Sequence, residues 1–85
     1  MAKAHSAQGT VKELAEIIGN ICDGALMEPV NVEQASVALA TKTAAKRARS
    51  HYDLAAAAVR GSYWLAKYGD RNSADAINNL MMGVR

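Results

Sequence analysis

From Val32 to Tyr68 the chain contains no proline and one glycine, Gly61. Strong helix formers fill this stretch, most densely from Ala55 to Ala58, and no strand-like alternation interrupts it. Helix is therefore the only regular structure that the centre of the chain supports. One unbroken helix here would measure about 55 Å, at about 1.5 Å per residue. That is long for a globule of 85 residues. The best break is Ser50-His51-Tyr52-Asp53, where Ser50 can cap a new helix. Two helices with a junction there are preferred over a single rod.

The flanks add further helices. Thr10 and Glu13 form a T-x-x-E capping box. Val11, Leu14, Ala15, Ile18, Ile21 and Cys22 follow at helical spacing, with Ile17 broadening the stripe. Asp23-Gly24 reads as the stop of this first helix. Residues 24–31 then connect, and Pro29, the only proline, disfavours helical geometry at Glu28. Asn31 and Gln34 make a second capping-box pair. After Tyr68, Gly69 is a stop signal, and Asn72 or Ser73 can cap a last helix. Ala74, Ile77, Leu80 and Met81 give that helix one apolar face, and Gly83 ends it. The expected fold is all-α, a small three- to four-helix bundle with a long alanine-rich central segment. Residues 1–9 read as a flexible tail and residues 10–85 as one helical domain.

Hydrophobic residues make up 51% of the chain, but much of that is alanine, and Phe is absent. A buried methyl group contributes only about 0.8 kcal/mol, so such a core is thin. Close helix packing or oligomerisation commonly compensates. One cysteine, Cys22, rules out a fold built on internal disulfides. Met1 to Gly9 lacks an apolar signal core, and no apolar run reaches the length of a membrane span. A cytoplasmic location is the resulting expectation. The net charge of +2 is too small to argue for nucleic acid by itself, so its distribution matters more.

At about 100° per residue, the central segment sorts into two sides. Val37, Thr41, Ala44, Ala48, Tyr52, Ala55, Val59, Ser62, Tyr63 and Ala66 form a small-residue stripe with two tyrosines. This stripe is expected to be the core seam, with a homodimer seam through the same alanines as the second reading. The opposite side carries Lys42, Lys46, Arg49, Asp53, Ala56, Arg60, Trp64 and Lys67, flanked by Arg47. They align only if the helix is unbroken, and a kink at Ser50 would divide them. The first reading of this side is a solvated face, with contact to a protein or to nucleic acid as the alternatives.

No catalytic constellation accompanies these faces. His5 and His51 are the only histidines, and no CxxC, HxxxH, GxSxG or glycine-rich phosphate loop is present. Cys22 reads as a small core residue, His51 as a junction residue, and Met81 and Met82 as core filling, with an adaptable contact surface as the alternative for the methionines. Neither enzyme activity nor a metal or cofactor is expected.

The apolar first helix, then Asp23-Gly24, then Asn31-Val32-Glu33-Gln34-Ala35 leading into Ala38–Ala48, resembles small helical proteins encoded by bacteriophages and other mobile elements. The resemblance covers roughly residues 11 to 52. It implies a helical accessory protein, of a kind that includes regulators and inhibitors of host proteins. It assigns no functional residue. Three readings of function are open to such a chain. The first is a protein-interaction module, with Arg60, Trp64, Lys67, Lys46 and Arg49 as contacts. The second is a small nucleic-acid binder using Lys42, Lys46, Arg47, Arg49 and Arg60. The third is a structural homodimer or assembly subunit.

Overall fold

A computed structural model describes residues 10–83, which form four helices. These are α1 (Val11–Met27), α2 (Val32–Arg47), α3 (His51–Lys67) and α4 (Arg71–Met82). The expected tail, residues 1–9, lies outside the described residues. The all-α bundle is thus present, in its four-helix form. No helix among the described residues is long and apolar enough to cross a membrane.

The α1 start obeys its sequence signal. The Glu13 amide donates to Thr10 Oγ1 at 3.1 Å, and the Thr10 amide donates to Glu13 Oε1 at 2.9 Å. The expected stop at Asp23-Gly24 is wrong, because α1 continues to Met27. An interior glycine costs a helix about 1 kcal/mol. Packing beyond Gly24 outweighs that cost, for Ala25 is buried and Leu26 rests on the core. Asp23, on the outside, takes the Lys42 ammonium at 2.7 Å. The turn comes at Glu28, immediately before Pro29.

Asn31 caps α2, accepting the Gln34 amide at 2.7 Å. The reciprocal half of the box is displaced by one residue. Gln34 Oε1 accepts from the Val30 amide at 3.1 Å instead of from Asn31. Its amide nitrogen donates to Asp70 Oδ2 at 2.6 Å and to the Ala25 carbonyl at 3.4 Å. Asn31 Nδ2 donates to the Tyr68 carbonyl at 2.9 Å. The α1–α2 turn and the α3–α4 turn are therefore latched together at one end of the bundle.

The central segment does break at the expected place. Ser50 caps α3 by accepting the Asp53 amide at 3.1 Å, and Asp53 Oδ2 accepts from the Arg49 amide at 3.4 Å. The far end of α3 closes on Gly69, whose φ of +96° is open to glycine at little steric cost. There the Asp70 amide reaches the Leu65 carbonyl and the Gly69 amide the Ala66 carbonyl, satisfying two end carbonyls of the helix. Neither Asn72 nor Ser73 caps α4. Asp70 does, accepting the Ser73 amide on Oδ1 at 3.1 Å while its other oxygen holds Gln34. Asp70 wins because one carboxylate serves both partners from a buried position.

The core runs through Leu14, Ile18 and Cys22 of α1, Leu54 and Leu65 of α3, and Ile77 of α4. Ile17 stays outside at 42% exposure. The inner face of α2 holds no large aliphatic residue; it is Gln34, Ala38, Thr41 and Ala45. The expected seam holds in part, for Thr41 and Ser62 are buried and Val37, Ala48 and Ala66 pack against the core. Ala44, Tyr52, Val59 and Tyr63 are exposed, Tyr52 at 83%. The buried line of α3 is Leu54, Ala58, Gly61 and Leu65, with Ser62 beside it. The three residues between α2 and α3 reset the helical phase, so a stripe projected through them holds only in part. At the α2–α3 crossing, Gly61 faces Thr41 so closely that a β-carbon there would lie 3.0 Å from Thr41 Cβ.

Candidate functional site

The break at Ser50 divides the basic stripe into separate surfaces. Lys42, Lys46 and Arg49 line an open groove of about 640 Å3 between α1 and α2, together with Lys12. Its small-residue lining includes Ala15, Gly19 and Ala48, and its acidic members are Glu16 and Asp23. The Lys42 stem passes over α1 beside Gly19 at van der Waals distance. Among the described residues, Lys42 is held by Asp23, while Lys12, Lys46 and Arg49 have no salt bridge. Lys12 was not expected here, since it lies outside the central segment and only the α1–α2 packing brings it in. Arg47 faces a different trough, beside Ser36, Thr43 and Asp53.

Arg60 and Trp64 belong to a third surface. They line a groove of about 330 Å3 with Val37, Ala40 and Ala44 of α2, over Thr41 and Gly61. Trp64 is 37% exposed and carries a stack of contacts. Tyr63 meets its ring edge-on at 5.2 Å, and Tyr68 stacks on it at 5.7 Å and 24°. The Lys67 ammonium sits 5.5 Å from the Trp64 ring centre, where the ring quadrupole favours a cation. Arg60, Trp64 and Lys67 thus form one surface, and Lys46 and Arg49 another. The Tyr63-Trp64 pair and Tyr68 four residues on were visible in the sequence, but their joining to the α2 groove was not.

The remaining chemistry is quiet. Cys22 is fully buried in the core, and burial, aided by the Asp23 carboxylate, pushes its thiol from 9.0 up to about 11. A nearby Lys42 opposes this shift only in part. The neutral thiol is a packing group here, since the thiolate is the reactive form. His51 opens α3 beside the Ser50 cap. Among the described residues there is no group of three or more His, Cys, Asp or Glu side chains that could hold a metal ion. No family model, curated protein or solved structure matches the chain.

Proposed function

We propose that this protein is a non-enzymatic interaction module that docks on a protein partner through the Arg60–Trp64–Lys67 surface. The observation that supports this is the setting of Trp64. Its ring is partly exposed, fixed by Tyr63, Tyr68 and Lys67, and placed at the lip of a groove floored by small residues. Aromatic anchors of limited flexibility are the side chains that dominate protein interfaces. The cations at Arg60 and Lys67 fit an acidic rim on the partner. In the accessory-protein reading, that partner is a host protein, bound stoichiometrically and inhibited or regulated. The test is cross-linking from a photoreactive residue at position 63, with and without Trp64→Ala. The expected result is a discrete adduct that disappears in Trp64→Ala while the circular dichroism spectrum is unchanged. A folded Trp64→Ala protein that gives the same adduct would overturn the assignment.

A second reading has its own observation, the α1–α2 groove. Four cations, Lys12, Lys42, Lys46 and Arg49, line it against two carboxylates. That excess fits the phosphate backbone of a nucleic acid, whose binding weakens steeply with salt. Mobility shifts at several salt concentrations decide it. Absence of binding at low salt, or a Lys46→Glu variant that binds as well, eliminates the reading.

A further inference from the structure

The outward face of α2 is built unlike a solvated one. Four charged residues lie in this helix, at Glu33, Lys42, Lys46 and Arg47. Lys42 turns towards α1 and pairs with Asp23. Between Glu33 and Lys46 the outward surface is therefore uncharged and displays Leu39 at 57% exposure, and Val32, just before Glu33, is 78% exposed. Leu39 and Ser36 stand between two troughs along the helix, one of about 510 Å3 reaching to Leu26 and Pro29, the other of about 710 Å3 reaching to Arg47. The face thus carries a projecting leucine and a hollow side by side.

The ends of this face have opposite charge. Glu33 sits in the first turn, and Lys46 and Arg47 in the last. Glu33 and Arg47 are fourteen residues apart, about 21 Å along the axis, and within about 40° of one line. Asp53 lies in the trough with Arg47 without forming a salt bridge to it among the described residues, so the basic end keeps its excess. An antiparallel copy of α2, turned about a two-fold axis near Leu39 and Ala40, would set Glu33 of each copy against Arg47 of the other. The same rotation would lower each Leu39 into the other copy's trough. A face that matches itself under a two-fold rotation is the requirement of an isologous dimer.

We propose that the partner of this face is a second copy of this chain, paired antiparallel through α2. This goes beyond the Trp64 surface and does not depend on it. One helix pair about 24 Å long makes a contact at the small end of specific interfaces, so association is weak and visible only in concentrated solution.

Sedimentation equilibrium of the full chain, up to roughly 0.5 mM given an interface of that size, provides the test. The wild type is expected to dimerise reversibly. Glu33→Lys and Arg47→Glu each weaken the dimer about tenfold or more, because like charges then meet at both ends. A mixture of the two single variants associates as the wild type does, since each end again pairs opposite charges. Leu39→Glu also abolishes association while the thermal melt stays in place. Trp64→Ala dimerises normally, which distinguishes this contact from docking through Trp64, although Ala40 and Ala44 border both grooves. A wild-type monomer throughout, a mixture no better than its components, or single reversals without effect overturns the proposal.

Discussion

Helices α1 and α2 are of similar length and lie side by side, yet they are built on opposite rules. α1 is one-sided. Leu14, Ile18 and Cys22 are buried, and Lys12, Glu16, Asn20 and Asp23 are exposed. α2 has almost no amphipathic character, for small uncharged residues lie on both of its sides. A one-sided helix declares its inner face before it packs. A two-sided helix receives its inner face from its neighbours. That difference explains why α1 has a large-residue core contact and α2 a close, alanine-lined one. It also explains why α2 has a second face left to use.

The one-sidedness of α1 is tested most severely at Ile18. Ile18→Ala removes a fully buried aliphatic side chain and should cost about 2–5 kcal/mol. At about 4–8 °C per kcal/mol for a domain of this size, thermal melts should fall by more than about 8 °C. The outward Ile17→Ala should cost much less. Equal losses at positions 17 and 18 would deny that α1 is one-sided.

Gly61→Ala tests the α2–α3 crossing. The added methyl collides with the Thr41 side chain, and overpacking of this kind costs about 1–3 kcal/mol. Thr41→Ala in the same chain should recover part of the loss, as measured by urea denaturation. Because alanine also gains about 1 kcal/mol of helix propensity over glycine, only a Gly61→Ala protein more stable than the wild type would mean that α2 is not held so closely.

The latch comes next. Gln34→Leu keeps the volume of the side chain but leaves Asp70 Oδ2 without its buried donor. A loss of about 1–3 kcal/mol is expected from the unsatisfied acceptor. Hydrogen exchange should quicken at the amides of Val30 and Ser73, which lose either their acceptor or its positioning.

The smallest effect is alkaline. Folding raises the Cys22 thiol from 9.0 to about 11, so the unfolded chain releases that proton first as pH rises. The thiol's contribution is fully present below pH 9.0 and is lost as pH rises towards about 11. Cys22→Ala should fall less steeply than the wild type over that window in denaturation midpoints measured against pH. Parallel curves would place the thiol in contact with water.

Much of this fold was legible in local sequence. Thr10 with Glu13, Asn31, Ser50 and Gly69 mark ends that local hydrogen bonding or backbone freedom decides, and each acts where it was expected. The misread ends, at Gly24 and at Asn72 or Ser73, share one cause. A contact distant in sequence outweighed the local signal: burial of Ala25 in the first case, and the Gln34–Asp70 pair in the second. The candidate surfaces were less legible still. Lys46 and Arg60 share a line only on a continuous helix, and the three-residue break turns them into different grooves.

Local patterning alone makes the chain helical, breaks its central segment at Ser50, and sets the apolar side of α1 and of α4. Those properties arise from backbone propensity, capping and one-sided patterning, all of which act over a few residues. Tertiary structure alone decided which side of α2 turns inward, because alanine is nearly as content on either side of a helix. The choice was made by Gly61 admitting Thr41 and by Asp70 receiving Gln34, and neither contact exists until the two halves of the chain meet. With α2 set in that way, Leu39, Ala40 and Ala44 were left on the surface.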